Sequence, residues 1–222
     1  VIVPNGETAK IPDVITQDPR VRVIDGGRNM HNVGALKRLA CDSAHGQAFV
    51  EMDHDDLLVP GLSLQRIADE FAKGAGFVYS DTAVFRYSHQ LNSENQMQTT
   101  FMPYTYSPQH GWESYQIGIY GRKLKATTCF DITPRSLAEI FYCPDHVRCW
   151  SRKAYYEAGG HNPELAVCDD HELMIKTYTS GAPFHHTGGC HYLYRMFDHN
   201  TVVMRNKQIQ GLTRKLKEEH TQ

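Results

Sequence analysis

In the first 81 residues, short apolar runs ended by turn residues alternate with stretches of helical periodicity. This alternation constrains the fold more than any other feature. Val1-Ile2-Val3 stops at Pro4-Asn5-Gly6, and Val21-Arg22-Val23-Ile24 stops at Asp25-Gly26-Gly27. Phe49 to Met52 forms a third run, and Gly76 to Tyr79 a fourth, closed by Ser80-Asp81. Between them, Val33 to Ala44 sets Leu36, Leu39 and Ala40 on one helical face, and Leu62 to Lys73 does the same with Leu64, Ile67, Ala68 and Phe71. Strand, helix, strand, helix at this spacing predicts an α/β fold with a mostly parallel sheet flanked by helices. Ligands of such sheets bind outside the carboxyl ends of the strands. Asp25, Asp53, Asp55 and Asp81 all follow predicted strands, so one edge is expected to gather acids.

The densest acidic group is Asp53-His54-Asp55-Asp56, where the third strand leaves the sheet and before Pro60-Gly61 turns the chain. Carboxylates packed at a strand end are costly unless a positive group offsets them. A divalent cation carrying phosphates does so, because hard oxygen ligands suit Mg or Mn. A solvated turn with helix-capping acids is the other reading of the same residues.

The bulk numbers narrow the class. The 222 residues are 41% hydrophobic, enough to bury a core in one domain. A net charge of −2 gives no basic field for nucleic acid or an anionic membrane. No apolar run reaches membrane-spanning length, and no signal peptide opens the chain. Cys41, Cys129, Cys143, Cys149, Cys168 and Cys190 show no C-x-x-C spacing, so reduced thiols and a cytoplasmic setting are expected.

From Arg86 to Pro144 the periodicity fades and Tyr104, Tyr106, Trp112, Tyr115 and Tyr120 accumulate. Long excursions and mixed strands are expected there, either as an acceptor-binding surface or as an aromatic packing layer. Lys153 to Ala158 reads as a helix stopped by Gly159-Gly160, Asp170 to Ser180 as another, and Asn206 to Glu219 as a terminal amphipathic helix with Ile209, Leu212 and Leu216 inward. The expected organisation is a single domain: a nucleotide-binding half over 1–85, an acceptor-side half over 86–205 and a C-terminal helix over 206–222.

Three segments together resemble family 2 glycosyltransferases of the GT-A fold. Asn32-Val33-Gly34, Ala44-His45-Gly46 and the Asp53–Asp56 stretch are similar to that family's N-x-G, A-x-G and D-x-D-D. Arg152 through Gly159-Gly160, then Cys168-Asp169-Asp170-His171-Glu172-Leu173, resemble its R-x-x-x-x-x-x-G-G and acidic E-D-x-x-L stretches. Tyr194-Arg195 followed by Asn200-Thr201 resembles its closing Y-R-x-H-x-x-N-T, with Phe197 at the His position and His199 two residues on. The family's opening strand and helix have no clear counterpart. Either the N-terminus is incomplete or Val1 to Asn5 is a compressed first strand.

The resemblance implies a metal-dependent, inverting transfer of a sugar from a nucleotide-diphosphate sugar, with a UDP-sugar the expected donor, to a hydroxyl acceptor. It assigns Asp170 as the general base and expects Asp53 and Asp55 to end a central strand beside it. Asp53, Asp25, Asn32, Gly34 and Arg38 become the donor-binding set, and Asp55 with His199 the ligands of Mn or Mg. Asp56 is then a helix cap or a supporting acid. Asp170, near other acids and partly desolvated, is expected to have a raised pKa. His146 and Arg195 either contact ligand or serve the structure, and Trp112 and Trp150 either stack on sugar or fill the core. Two other functions share these features: a sugar nucleotidyltransferase, for which Pro4-Asn5-Gly6 is a poor phosphate loop, and a non-catalytic binding module.

Overall fold

A fifteen-residue strand, Phe77–Leu91, organises the whole sheet. The computed structural model describes residues 1–6, 9–27, 32–91, 97–104, 108–119, 121–140, 143–197 and 200–220, and for 87–91, 97–104 and 110 it describes the backbone alone. The strands are β1 (Ala48–Glu51), β2 (Leu57–Leu58), β3 (Phe77–Leu91), β4 (Met97–Tyr104), β5 (Ser114–Ile119), β6 (Arg122–Thr127), β7 (Arg148–Ser151) and β8 (Phe184–Arg195). The helices are α1 (Asp13–Thr16), α2 (Val33–Ser43), α3 (Ser63–Ala72), α4 (Pro134–Glu139), α5 (Arg152–Glu157), α6 (Asp169–Thr179), α7 (Thr201–Met204) and α8 (Asn206–His220).

The first three residues of β3, Phe77 to Tyr79, pair antiparallel with β7, and β8 runs parallel to β3 from Phe77 to Phe85. Farther along, β6 joins at Thr82-Ala83 and β4 takes the distal half, both antiparallel. One path through the sheet is β1-β7-β3-β6-β5, with β2 on β8. The α/β class stands, but the sheet is only partly parallel. The reason is that β5, β6 and β7 come from the second half of the chain, beyond the alternating pattern that predicts parallel strands. Val1–Val3 and Val21–Ile24 contribute one parallel bridge, Ile2 to Val23, held by Ile2 N–H to Arg22 O at 2.8 Å and Ile24 N–H to Ile2 O at 2.9 Å. Consequently β1 stands at the end of the path rather than at its centre.

Local signals explain most boundaries. Asn32 starts α2 by accepting from Ala35 N–H at 3.0 Å, and Ser151 starts α5 by accepting from Ala154 N–H at 3.1 Å. Three acids fill the first turn of α6 and Lys176 its last, matching the helix dipole. On α3 the inward stripe is Ser63, Ile67 and, in part, Phe71; Leu64, expected on the core face, is exposed. Ser63 sets that rotation, its hydroxyl donating to Val59 O at 2.7 Å and lying 3.0 Å from His191 Nδ1.

The main core joins Phe77, Trp150, Tyr155, Leu173 and Met174, and α8 closes it with Ile209 and Leu216. Trp150 is core, its ring edge-on to Phe77 and its Nε1–H donating to Thr177 Oγ1 at 3.1 Å. Trp112 is buried against Phe130. Of the expected aromatic surface, Tyr106 and Tyr120 lie outside the described residues, and Tyr115 donates from its hydroxyl to Asp81 at 2.7 Å. All six cysteines are free.

Candidate active site at the end of strand β1

Side chains alternate along a strand, so Glu51 and Asp53 leave β1 toward the same side. Lys37, from α2, meets both: its ammonium is ion-paired with Glu51 and lies 3.8 Å from Asp53. Burial works against the Lys37 charge, but Asp53, Asp169 and Asp170 outweigh it and raise its pKa. In return Lys37, ahead of His146 and Arg148, holds Asp53 below the usual carboxylate range despite its burial. The sequence shows no basic neighbour beside the acidic turn, yet the fold supplies one from a helix sixteen residues earlier.

Asp170 opens α6 and faces the same cluster. Its carboxylate is ion-paired with the Arg148 guanidinium and accepts from His171 N–H at 2.7 Å. Arg148 is buried on β7, and its Nε–H donates to Pro144 O at 3.1 Å. Burial alone would raise the Asp170 pKa. Arg148, Lys37 and His146 together overcome that and hold it well below the ordinary value. The raised pKa expected for this residue is therefore reversed, because a buried guanidinium, not another acid, is its nearest neighbour. Asp169 beside it is fixed by His161, whose Nδ1 lies 2.9 Å away with both side chains buried.

His146 closes one wall. Its ring stacks on Tyr192 at 4.8 Å and lies near-parallel to Tyr194 at 5.9 Å, while Nδ1 sits 3.1 Å from Asp145. Asp56 points inward, accepting from Tyr192 Oη–H at 2.8 Å and Arg195 N–H at 2.7 Å. Burial lifts its carboxyl to about 7, with those two bonds restraining the rise.

The other expected residues divide by what they touch. Asp25 is exposed, accepts from Gly27 N–H at 2.8 Å and lines a cleft of about 380 Å³ with Pro4, Gly6, Ala9, Val23 and Gly27. Asn32 is spent on its cap and on Pro163 O, to which it donates at 2.6 Å. Gly34 is buried against chain: a Cβ there would collide with Asn162 O and meet Leu165 O at 2.8 Å. Arg38 pairs with Asp42 and donates to Gly159 O, tying α2 to the end of α5. Asp81 sits inside β3 rather than at its end, held by His186, Cys129 N–H and Tyr115, so it does not join the acidic edge. His199 lies outside the described residues.

Lys37, Glu51 and Arg148 are the site residues that sequence reasoning missed. Arg148 had a readable signal, a lone charge inside the apolar run Val147 to Trp150, where an ion needs a partner. Lys37 follows Gly34 by three on α2, which sets it on the packed face of that helix.

The family model described as glycosyl transferase family 2 matches residues 1–136, more than half of the chain. The chain belongs to glycosyl transferase family 2. That match takes in Asp25, Lys37, Glu51, Asp53 and Asp55 and stops short of Arg148 and Asp170. No curated protein matches the sequence. Among solved structures, S. aureus TarS residues 1–349 in complex with UDP is similar with a TM-score of 0.59 at 10% identity, covering 98% of this chain and 54% of that one. The same protein in complex with UDP-GlcNAc is similar with a TM-score of 0.57 at 10% identity, over 89% of this chain and 49% of that one. The chain thus spans about half the length of these structures. At this identity the likeness concerns the fold, and it places the family 2 chain on a GT-A glycosyltransferase framework.

Proposed function

We propose that this chain transfers a sugar from a UDP-sugar to a hydroxyl acceptor, with inversion at the anomeric carbon and with a divalent cation assisting departure of UDP. The observation that carries this reading is the meeting of Asp53 and Asp170, from two separate segments, in one charged cluster at the end of β1 in a family 2 chain. UDP and UDP-GlcNAc bound to TarS support the donor class. On this reading residues 1–85 hold the nucleotide, 86–205 serve the acceptor side, and α8 packs its Ile209 and Leu216 into the core between them. Six free cysteines support a cytoplasmic setting, and no helix among the described residues is long and apolar enough to cross a membrane.

The acceptor oxygen attacks the anomeric carbon opposite the bond to the β-phosphate oxygen. That bond breaks, UDP leaves with the electron pair, and the hydroxyl proton passes to Asp170. Arg148 keeps Asp170 ionised through the neutral range, so the base form is always present. Its low basicity is met by the hydroxyl, which acidifies as the new C–O bond forms. Lys37 holds Asp53 as a carboxylate facing the donor.

Among the described residues, no group of three His, Cys, Asp or Glu side chains makes a ready metal-ligand set. A divalent cation nevertheless fits the chemistry, because Mg-type ions bind through one or two carboxylates and take their other ligands from phosphates and water. Asp55, whose ion-pair neighbour is His54 at 3.9 Å, would hold it together with His199. Bound there, the ion would supply positive charge to the diphosphate leaving group. Calorimetric titration of UDP with and without Mn tests the donor and metal parts: binding that Mn strengthens and Asp55→Ala removes supports them, and metal-indifferent binding refutes the cation's role.

A further inference from the structure

We propose that Asp56 is a positioning residue that locks the acidic turn onto the end of β8, so that Asp53 and Asp55 meet the donor in a fixed register. This rests on the glycosyl-transfer reading above. Both Asp56 oxygens are spent: Oδ2 accepts from Tyr192 Oη–H at 2.8 Å, and Oδ1 accepts from Arg195 N–H at 2.7 Å. Asp56 is buried, so it cannot turn outward to a ligand without breaking both bonds. The same Tyr192 hydroxyl accepts from Asp53 N–H at 3.2 Å. One phenol therefore joins the first and last acids of the Asp53–Asp56 turn.

The other end of the clamp is equally fixed. Arg195 N–H is held by Asp56, and Arg195 O accepts from Asn200 Nδ2–H at 3.1 Å. Met196 N–H donates to Phe85 O at 2.8 Å, and Asn200, itself buried, also reaches Tyr194 Oη at 3.3 Å. Between clamp and strand, Leu57 and Leu58 pair antiparallel with Leu193 and Tyr192, and Val59 N–H donates to His191 O at 3.0 Å. The acidic turn and β8 are thus tied through their backbones, and Asp56 adds a side-chain tie from the turn to the Tyr192 hydroxyl and the Arg195 amide. Deleting its carboxylate leaves the β2–β8 pairing in place while freeing the Arg195 amide and loosening the Tyr192 hydroxyl that holds the Asp53 amide.

Two substitutions separate positioning from general weakening. Asp56→Asn keeps an acceptor for Arg195 N–H but turns a donor toward Tyr192; Tyr192→Phe removes the phenol's bonds to both Asp56 and Asp53 and leaves the Arg195 tie in place. Steady-state transfer from UDP-sugar, with donor and acceptor varied separately, gives the first readout. Misplaced donor carboxylates raise the donor KM, and kcat/KM for donor falls by about a hundredfold, with the acceptor KM unchanged. Mere loss of folded protein lowers kcat and leaves both KM values alone, and that result overturns the proposal. Hydrogen exchange of the segments around Asp53 and Arg195 gives a second readout that needs no turnover. Asp56→Ala, which removes both acceptors, is expected to speed exchange in both segments together; exchange that rises in one alone, or in neither, overturns the clamp. If the wild-type protein turns over no UDP-sugar, the transfer reading fails, and the exchange experiment by itself decides whether the clamp exists.

Discussion

Arg148, buried on β7, donates from its guanidinium to the Asp170 carboxylate at the start of α6, and that pair fixes the protonation of the candidate base. A carboxylate whose folded pKa lies below its ordinary value of 3.8 stabilises the fold above that value and loses the contribution as pH falls below it. Across pH 5 to 9 Asp170 therefore stays ionised. The rate of sugar transfer should show no acidic limb from this residue in that range, and a pH–rate profile in Asp170→Glu, compared with wild type, checks it.

Replacing Asp170 with Asn should cost roughly a hundredfold to ten-thousandfold in transfer rate and leave UDP affinity nearly unchanged. It also leaves Arg148 a buried cation without a counter-charge, so thermal stability should drop. Affinity falling in step with rate would move Asp170 into the donor site.

Lys37→Met should destabilise the protein by about 3–5 kcal/mol, because it strands Glu51 as a buried carboxylate next to the acidic turn. Adding Glu51→Gln should recover most of that loss. Chemical denaturation of the two single variants and the double variant measures the coupling, and additive losses would show that the two side chains do not act as a pair.

The alternating runs of the first 81 residues made the α/β class and the positions of α2, β1 and α3 legible, because periodicity is a local property. The partners of β1 and β3 were not legible. They come from residue 97 onward, where the alternating pattern has ended and pairing is decided by tertiary contact. The resemblance pointed to Asp53 and Asp170, and the fold does bring these two into one charged cluster. Their charge balance could not be read, since Lys37 and Arg148 reach them across 16 and 22 residues of sequence. Asn32, Gly34 and Arg38 look like ligand residues in sequence, yet they cap, pack and brace α2.

Stability should fall as pH rises from about 4 to about 7 through Asp56. Its folded carboxyl titrates near 7 against an ordinary 3.8, so the folded state holds the proton more tightly over that window. The size expected is about 2–4 kcal/mol, flat above pH 7. Urea midpoints at pH 5 and pH 8 measure it, and Asp56→Asn should abolish the difference.

Gly34→Ala should lower stability by about 1–3 kcal/mol through overpacking, since its Cβ has no space beside Asn162 and Leu165. The shift pushes α2, and with it Lys37, away from Asp169 and the start of α6. Thermal melting with a parallel measurement of UDP affinity checks this. A variant with unchanged melting would show that the loop yields freely.

Release of UDP from UDP-sugars by the purified chain, with Mn present and a panel of sugar and hydroxyl acceptors, tests the central claim most directly. Turnover of at least one UDP-sugar, suppressed by chelator and lost in both Asp55→Ala and Asp170→Asn, is the result expected. Failure to bind UDP or to turn over any UDP-sugar, in protein shown to be folded, would contradict it.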